Sequence, residues 1–329
     1  MVDSPRVSVC IPTYNRYSYL KSALISALNQ TYKNIEIVIS DNCSTDNTHQ
    51  VEADFKDPRI NYHRSKKTSG PIENWNKSVA LSSGEFITFL TDDDVLMPKY
   101  VEKLVKIIDS NKEISLARCG HEYIDEKGRH LGNSRKFPEL ETAGEFIYNR
   151  IRGKEPSSLP GYMFRKNDFL ETGGFKNVGF DGGLFSDDYL WFRIALQRKY
   201  LNSTNQILWK WRKHQSNLGT GINIFKFQEN IPNYKDSILL LLKEEQVEKP
   251  INYVKFNLSS KILIDRLYIE YLRSLNRGLN DSLSFIFRYL LLAIQQVIRY
   301  AYFSVAKLID GIYSLFIRNI SSFFNRISK

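Results

Sequence analysis

Two clusters of carboxylates have residue types and spacing that suit metal binding and proton transfer. The first is a run of three aspartates, Asp92, Asp93 and Asp94, directly after an apolar segment. Three adjacent carboxylates repel one another in a dry loop unless a cation or solvent compensates their charge. Carboxylate oxygens that leave coordination positions open suit Mg²⁺ or Mn²⁺ bridging phosphates. The alternative is a solvated acidic turn without a ligand.

The second cluster is the pair Asp187 and Asp188, at the beginning of a segment that acquires helical spacing. One carboxylate placed there could act as a general base and take a proton from a hydroxyl group. Helix capping is the alternative, because aspartate is a favoured residue at helix N-termini.

The elements around the first cluster predict where its side chains lie. Phe86–Leu90 is β-prone and contains neither Gly nor Pro, so it is predicted to be a buried strand. Val7–Ile11, Ile35–Ile39 and Ile60–His63 are earlier β-prone runs, separated by segments with helical spacing. This alternation predicts an α/β fold with a parallel, doubly wound sheet. Ligands bind such sheets at the carboxyl ends of the strands, where the aspartate triplet would lie.

Polar loops follow the first two strands. The loop Pro12–Arg16 has no glycine, so the glycine-rich cradle of a dinucleotide-binding site is not indicated. Tyr14 could stack on a nucleobase or simply cover the sheet edge. Asp41, after the second strand, could accept a hydrogen bond from a base or a ribose, but turn chemistry also explains an aspartate there.

The composition sets the broad class of protein. With 329 residues, 42% of them hydrophobic, the chain has room for one large domain with an appendage or for two domains. The net charge of +10 admits nucleic acid, an anionic membrane surface or phosphorylated small molecules as partners. Three cysteines without a Cys-x-x-Cys spacing favour a reducing compartment over a disulfide framework or a zinc site. The first residues contain no apolar region of the secretory type.

Four segments, in order, resemble the nucleotide-sugar half of inverting family 2 glycosyltransferases: Val7–Arg16, Gln30–Tyr32, Glu36–Asp46 and Gly84–Asp94. The resemblance covers about residues 5–215 and implies the GT-A fold, a Rossmann-like, mostly parallel sheet flanked by helices. It implies that the nucleotide of the donor is bound by Pro12, Thr13, Tyr14, Arg16, Asp41 and Asp92. Thr13 and Tyr14 would flank the base, Asp41 would bind it, and Asp92 would face the ribose or the diphosphate.

The resemblance also implies a metal site. The family's Asp-x-Asp element falls on Thr91–Asp93, with threonine in place of the first aspartate. Asp93 would be the principal ligand of Mg²⁺ or Mn²⁺, with Asp94 and His214 as further candidates. His214 or Arg212 could instead reach the diphosphate, and a surface histidine without a role is the interpretation that the pattern alone favours.

For the catalytic base, the resemblance points to the second carboxylate cluster. The family's Glu-Asp-x-x-Leu-x-x-Arg stretch matches Ser186–Arg193, with Ser186 in the place of the glutamate. Asp187, six residues before Arg193, takes the place of the base, and Asp188 is the close alternative.

These motifs together predict a metal-dependent, inverting glycosyltransferase of cell-surface polysaccharide assembly. The donor would be a UDP- or dTDP-linked sugar, and the acceptor a saccharide or a polyprenyl-linked saccharide. A nucleotidyltransferase that makes activated sugars is one alternative, but it would need a glycine-rich, basic loop after the first strand. A basic, membrane-associated scaffold is another. No nucleic-acid partner is expected, because the charge is not accompanied by an aromatic and basic RNA-binding motif.

The C-terminal third differs in residue pattern from the rest of the chain. The sequence predicts a catalytic domain at 1–220, a helical extension at 221–281 and amphipathic helices at 282–329. On a helical wheel, Tyr313–Ile327 places Phe and Ile side chains opposite basic and polar ones. This pattern predicts a helix in an anionic membrane interface, and hence a cytoplasmic protein on the inner face of the plasma membrane. Packing on the catalytic domain or on a second subunit is the alternative. The longest uncharged run, between Arg288 and Arg299, falls short of the ~20 residues of a spanning helix.

Overall fold

The computed structural model describes residues 6–152, 158–214, 224–245, 247 and 254, which contain ten strands and eight α-helices. The strands are β1 (Val7–Thr13), β2 (Ile35–Asp41), β3 (Ile60–Arg64), β4 (Phe86–Phe89), β5 (Val95–Leu96), β6 (Ile114–Ile124), β7 (His130–Asn133), β8 (Leu140–Thr142), β9 (Tyr162–Arg165) and β10 (Tyr200–Arg212). The helices are α1 (Tyr17–Leu28), α2 (Val51–Asp54), α3 (Pro71–Ala80), α4 (Tyr100–Asp109), α5 (Ala143–Ile151), α6 (Lys166–Thr172), α7 (Ser186–Leu196) and α8 (Ile224–Glu244). Short 3₁₀ helices lie at Asn47–Gln50 and Asp181–Gly183.

One mixed sheet contains all ten of these strands, in the order β3-β2-β1-β4-β9-β6-β10-β5, with β7 on β6 and β8 on β10. The strands β3, β2, β1 and β4 are parallel to their neighbours. β9 runs antiparallel between β4 and β6, and β6 and β10 are parallel again. The predicted α/β class is confirmed, and the predicted parallel arrangement holds for the half of the sheet formed by β1 to β4.

The first four strands place their carboxyl ends at one edge of the sheet. β1, β2 and β4 are buried at every position, as expected for parallel strands covered by helices on both faces. In the register of β1 and β2, Thr13 lies opposite Asp41. Since β4 is parallel to β1, the aspartate triplet that follows it emerges at the same edge.

The second half of the sheet departs from the sequence-based prediction. Two strands are predicted at Ile114–Arg118 and His121–Ile124, but β6 is continuous. Gly120 interrupts the apolar pattern, yet it fits the strand because β10 approaches closely there: a Cβ on Gly120 would lie 3.1 Å from the carbonyl oxygen of Gln206. β10 itself, and β7 and β8 in a segment predicted to be irregular, are missed because polar residues interrupt their apolar alternation.

Within the predicted helical extension, the sequence predicts a helix at Ile224–Glu245, and α8 confirms it. Ile231, Tyr234, Ile238 and Leu242 of this helix are buried. The sequence also predicts a helix at Tyr253–Arg277. This helix, the predicted domain boundaries and the amphipathic segment Tyr313–Ile327 fall outside the described residues, Val254 excepted, and stay predictions. Among the helices that are described, none has the length and apolar character needed to cross a membrane.

Candidate active site

The aspartate triplet is almost completely buried, which argues against the solvated acidic turn. Asp92, Asp93 and Asp94 are 7%, 7% and 2% exposed. Carboxylates are rarely this buried unless they are paired with cations or hydrogen-bond donors. The partners therefore indicate what each of the three does.

Asp92 and Asp93 both pair with Arg16, three residues after the end of β1. Its Nη1 lies 2.7 Å from Oδ2 of Asp93 and 3.3 Å from Oδ1 of Asp92. The hydroxyl of Thr13 donates to Oδ2 of Asp92 over 2.8 Å. Burial, followed by the charge of Asp93, raises the pKa of Asp92 to about 7, although Arg16 and the hydrogen bond from Thr13 act in the opposite direction.

His214 contacts the same carboxylate. Its Nε2 lies 2.8 Å from Oδ2 of Asp93, its side chain is 2% exposed, and its ring stacks on Tyr19 with centroids 5.1 Å apart. Burial acts to raise the pKa of Asp93, but the hydrogen bond with His214 and the charge of Arg16 outweigh it and hold that pKa below its usual value. The interpretation of His214 as a surface histidine is therefore wrong, because β10 carries it to the triplet.

Asp94 connects the triplet loop to the end of β10. Its Oδ1 accepts from the backbone amide of Arg212 over 2.8 Å, and its Oδ2 accepts from the hydroxyl of Thr91. The Nε of Arg212 in turn donates to the carbonyl of Asp93 over 2.9 Å. Burial and the charge of Asp93 raise the pKa of Asp94 well above its usual value. These contacts give Asp94 and Arg212 a part in positioning the loop.

Asp41 lies beside the cluster at the end of β2. It is fully buried, and its two oxygens accept from the amide of Ser44 over 2.9 Å and from the hydroxyl of Tyr62 over 2.7 Å. Pro12 is buried within β1, whereas Tyr14, two residues further on, is 45% exposed. An exposed ring at a strand's end is available for stacking, and the role of Tyr14 stays a prediction.

Left-handed backbone conformations mark the loops that carry the predicted residues. Among the described residues other than glycine, positive φ occurs at Asn15 (53°), Cys43 (64°) and Phe185 (61°). Asn15 adjoins Tyr14 and Arg16, whereas Cys43 lies two residues after Asp41 and Phe185 two residues before Asp187. The side-chain oxygen of Asn15 accepts from the amide of Thr45 over 2.7 Å, which fixes the loop after β1 against the loop after β2. Such strain is common where a loop must hold functional side chains.

The second carboxylate cluster lies in the first turn of α7, where its two members have different environments. Asp188 is 7% exposed and forms a buried ion pair with Nε of Arg150, whose Nη1 donates to the hydroxyl of Tyr162 over 2.8 Å. Asp187 is half-buried, and its Oδ1 accepts from the backbone amide of Asp188 over 2.9 Å. The pair therefore divides into a carboxylate held by an ion pair and a carboxylate nearer to solvent.

Tyr234 of α8 lies near this second cluster, and sequence reasoning missed it. Its ring stacks on Phe185 with centroids 4.7 Å apart, and burial, followed by the charges of Asp188 and Asp187, raises its pKa well above the usual value. Arg150 was missed too. The sequence offers no signal for either residue beyond helical spacing, because their roles depend on α5 and α8 packing beside α7.

The donor atoms for a metal ion are few. Within the described part of the chain, no group of three or more His, Cys, Asp or Glu residues is arranged to hold a metal. Asp93 and His214 do converge, with Asp92 sharing Arg16 with Asp93. Mg²⁺ is typically bound through one or two carboxylates plus substrate phosphates and water, so this donor set fits a cation that enters with a diphosphate.

Comparisons with known proteins agree with this geometry. A family model, Glycosyl transferase family 2, matches residues 8–173, half of the chain. An uncharacterised glycosyltransferase of Rickettsia typhi is 28% identical over 74% of this chain and 75% of its own length. The GalNAc(5)-diNAcBac-PP-undecaprenol beta-1,3-glucosyltransferase of Campylobacter jejuni is 28% identical over 76% of this chain and 79% of its own length.

Solved structures of S. aureus TarS have a similar fold. The complex with UDP-GlcNAc matches with a TM-score of 0.60 and 19% identity, over 76% of this chain and 72% of that one. The complex with UDP matches with a TM-score of 0.57 and 19% identity, over 71% of this chain and 65% of that one. At this identity the likeness concerns the fold, which is that of GT-A glycosyltransferases.

Proposed function

Because the chain belongs to glycosyltransferase family 2, we propose that it transfers a sugar from a nucleotide-linked donor to a saccharide hydroxyl, with inversion at the anomeric carbon. The observation that carries the proposal is the cluster at the edge where β1, β2 and β4 end. There Arg16 bridges two buried carboxylates, and Thr13 and His214 complete the contacts. The relatives are named as glycosyltransferases, which favours this function over the nucleotidyltransferase and the scaffold.

For the donor, we propose a UDP- or dTDP-linked sugar. Tyr14 provides an exposed ring for the base, and Asp41 lies one strand away, where Oδ1 accepts from the amide of Ser44 and Oδ2 accepts from Tyr62 with Nε of Arg64 3.7 Å away. A carboxylate oxygen has capacity for a second donor, so Asp41 can accept from a base or a ribose. The TarS complexes with UDP and UDP-GlcNAc support a uridine nucleotide in this fold.

For the diphosphate, we propose that Mg²⁺ or Mn²⁺ would be held by Asp93, with His214 and Asp94 as further candidates, and that Asp92 would face the ribose or the diphosphate. Such a cation neutralises the charge of the departing nucleoside diphosphate. Arg16, whose side chain is 23% exposed, lies against both Asp92 and Asp93 and would add a positive charge beside the diphosphate.

Asp187 is the proposed base. The acceptor oxygen forms a bond to the anomeric carbon, the bond from that carbon to the diphosphate oxygen breaks, and the hydroxyl proton passes to the carboxylate. Asp188 is less suited to this role because its charge is already paired with Arg150 in a buried site. Arg150 and Tyr162 hold the start of α7, and with it Asp187, in position.

For the acceptor, we propose a saccharide or a polyprenyl-linked saccharide in cell-surface polysaccharide assembly. The Campylobacter relative is named for a glycan on undecaprenol. The basic and aromatic segment Tyr313–Ile327 would hold the enzyme on the inner, cytoplasmic face of the plasma membrane, where such a substrate is accessible.

The test is to incubate the purified protein with Mn²⁺ or Mg²⁺ and a panel of nucleotide sugars, and to measure nucleoside diphosphate release. Release from at least one donor, increased by a saccharide acceptor and lost with EDTA, is the expected result. Release of pyrophosphate from a nucleoside triphosphate and a sugar phosphate would instead identify a nucleotidyltransferase.

A further inference from the structure

The helix α7, which carries the proposed base, begins after a residue in an uncommon backbone conformation. Phe185 has φ 61° and ψ 0°, in the left-handed region, and lies two residues before Asp187. A bulky side chain rarely adopts this conformation, because its Cβ then crowds the backbone. Phenylalanine also has no polar side-chain atom that could cap the helix. The contacts of its ring must therefore hold Phe185 in place.

Two aromatic rings pack against the ring of Phe185. Tyr234 of α8 stacks on it with centroids 4.7 Å apart and an interplanar angle of 17°, and Phe180 meets it edge-on at 5.2 Å. Phe180 and Tyr234 are each 2% exposed and also contact one another, with centroids 6.3 Å apart. Three rings in mutual contact offset the strain of one left-handed residue.

The segment that leads into α7 fits closely against α8 at a second point. Gly179 has φ +98°, and a Cβ built on it would lie 2.9 Å from the Cβ of Asn233. Asn233 adjoins Tyr234, so α8 contacts this segment both at Gly179 and at Phe185. These two contacts fix the segment from which α7 begins.

Tyr234 also lies near the second carboxylate cluster. Burial, followed by the charges of Asp188 and Asp187, raises the pKa of its phenol. The amide of Tyr189 donates to the carbonyl oxygen of Phe185 over 3.0 Å, so the hydrogen bonds of α7 start at the residue on which Tyr234 stacks. A shift of Phe185 would therefore move the first turn of α7, and Asp187 with it.

We propose that Tyr234 is a positioning residue for the reaction: its ring holds Phe185 in the left-handed conformation and thereby orients Asp187 toward the acceptor hydroxyl. This inference rests on the proposed function, in which Asp187 is the base. The stacked face of the ring is the same in tyrosine and phenylalanine. The phenolic hydroxyl group is therefore not needed for this role.

Two substitutions of Tyr234 in the full chain separate the ring from its hydroxyl group. Tyr234→Leu removes the stacked ring, and we expect it to lower turnover by about 10- to 100-fold, the scale of a misplaced reacting group. Tyr234→Phe keeps the ring and should keep the turnover of the wild type. The affinity for UDP with Mg²⁺, measured by calorimetry, should be unchanged in both variants, because the nucleotide is expected at the other carboxylate cluster.

A variant of Phe185 tests whether Tyr234 acts through this residue. Phe185→Leu removes the same stacked pair from the other side, so it also tests the proposal if Tyr234→Leu folds poorly. We expect the double variant to turn over no more slowly than the slower single variant. Independent effects would multiply instead, which would contradict a route through Phe185.

Leu242→Ala is the matched control for a loosened α8. Leu242 is buried in the same helix, about 12 Å beyond Tyr234 along its axis. The smaller side chain should lower the stability of the protein. Turnover should nevertheless equal that of the wild type, since the stacking on Phe185 is retained.

Hydrogen exchange, measured by mass spectrometry, gives a readout that does not depend on activity. Peptides that contain Tyr189 report on the first turn of α7, because its amide donates to Phe185. We expect this amide to exchange at least about tenfold faster in Tyr234→Leu, since the turn opens more often without the stacked ring. In Tyr234→Phe and Leu242→Ala it should exchange at the rate of the wild type.

The outcomes separate this inference from the proposed function. In an active enzyme, the inference is overturned if Tyr234→Leu leaves either the turnover or the exchange at Tyr189 unchanged, or if Tyr234→Phe is as slow as Tyr234→Leu. The last result would assign the effect to the hydroxyl group. If exchange at Tyr189 responds as described but the wild type releases no nucleoside diphosphate from any donor, Tyr234 holds the start of α7 and the proposed transferase function fails.

Discussion

Arg150 of α5 and Asp188 of α7 form an ion pair whose side chains are only 2% and 10% exposed. Removing one member of such a buried pair leaves an uncompensated charge, which is strongly destabilising. Asp187, in contrast, is half-buried and accepts from the amide of Asp188. The two neighbouring aspartates are thus expected to differ when substituted, one affecting turnover and the other the fold.

We predict that Asp187→Asn lowers turnover by about 10²–10⁴-fold, the usual contribution of a positioned general base. Affinity for UDP, measured by calorimetry, should stay within about twofold, and the melting temperature should be unchanged. Asp188→Asn is the matched comparison: it should lower the free energy of unfolding by about 1–3 kcal/mol, because Arg150 loses a charged partner but keeps a hydrogen-bond acceptor. Full activity of Asp187→Asn beside an inactive, stable Asp188→Asn would reverse the assignment.

A second prediction concerns Asp93, which contacts both Arg16 and His214. Asp93→Asn should weaken binding of UDP in the presence of Mn²⁺ by at least about tenfold, since loss of even an outer partner of a metal ligand commonly costs that much. In EDTA the variant and the wild type should bind UDP equally. Calorimetry with and without the cation measures both, and unchanged affinity in Mn²⁺ would exclude Asp93 as the metal ligand.

Much of the half of the fold that contains β1 to β4 could be predicted from the sequence. β1, β2 and β4 are short apolar runs that end at polar residues, and parallel strands bring such ends together by topology alone. Thr13 and the aspartate triplet meet for this reason. The sequence does not predict that Arg150 and Tyr234 contribute to the site. Their contacts depend on how α5 and α8 pack against α7, and local periodicity carries no information on this packing.

His214 is another residue whose position could not be predicted from the sequence around it. Its surroundings in the sequence, Trp209–His214, indicate only an aromatic and basic segment. Burial beside Asp93 follows from the pairing of β10 with β5, where Trp209 lies opposite Leu96 and Lys210 opposite Val95. This pairing joins residues more than a hundred positions apart in sequence, and β5 has only two residues, too few for a periodic signal.

A third prediction uses the depressed pKa of His121, about 4 in the folded protein because of burial and the charge of Lys213. The unfolded chain, with an ordinary histidine pKa near 6.5, binds more protons between these values. The contribution of His121 to the free energy of unfolding is therefore present above about pH 6.5 and is lost as pH falls toward 4, by at most about 3 kcal/mol. Urea titrations at several pH values should show a shallower acid loss in His121→Phe than in the wild type.

His49 provides the control for this pH experiment. It is exposed, and its Nδ1 lies 3.2 Å from the backbone carbonyl oxygen of Asp46. His49→Phe should therefore retain the acid dependence of the wild type over the same interval. Identical pH slopes for the wild type and His121→Phe would show that the pKa of His121 is the same in the folded and the unfolded chain, and would contradict the prediction.

The last prediction concerns the segment Tyr313–Ile327, in which aromatic and aliphatic residues alternate at helical spacing with Arg318 and Arg326. Burying each Phe or Ile contributes at most ~1.5–3 kcal/mol, and each basic residue near an anionic surface adds about 1 kcal/mol, enough for reversible binding. We expect the full chain to sediment with anionic liposomes more strongly at low salt, and a chain ending at Asp281 to remain in solution while still releasing nucleoside diphosphate. Equal partitioning of both chains at either salt concentration would mean that the segment packs against protein.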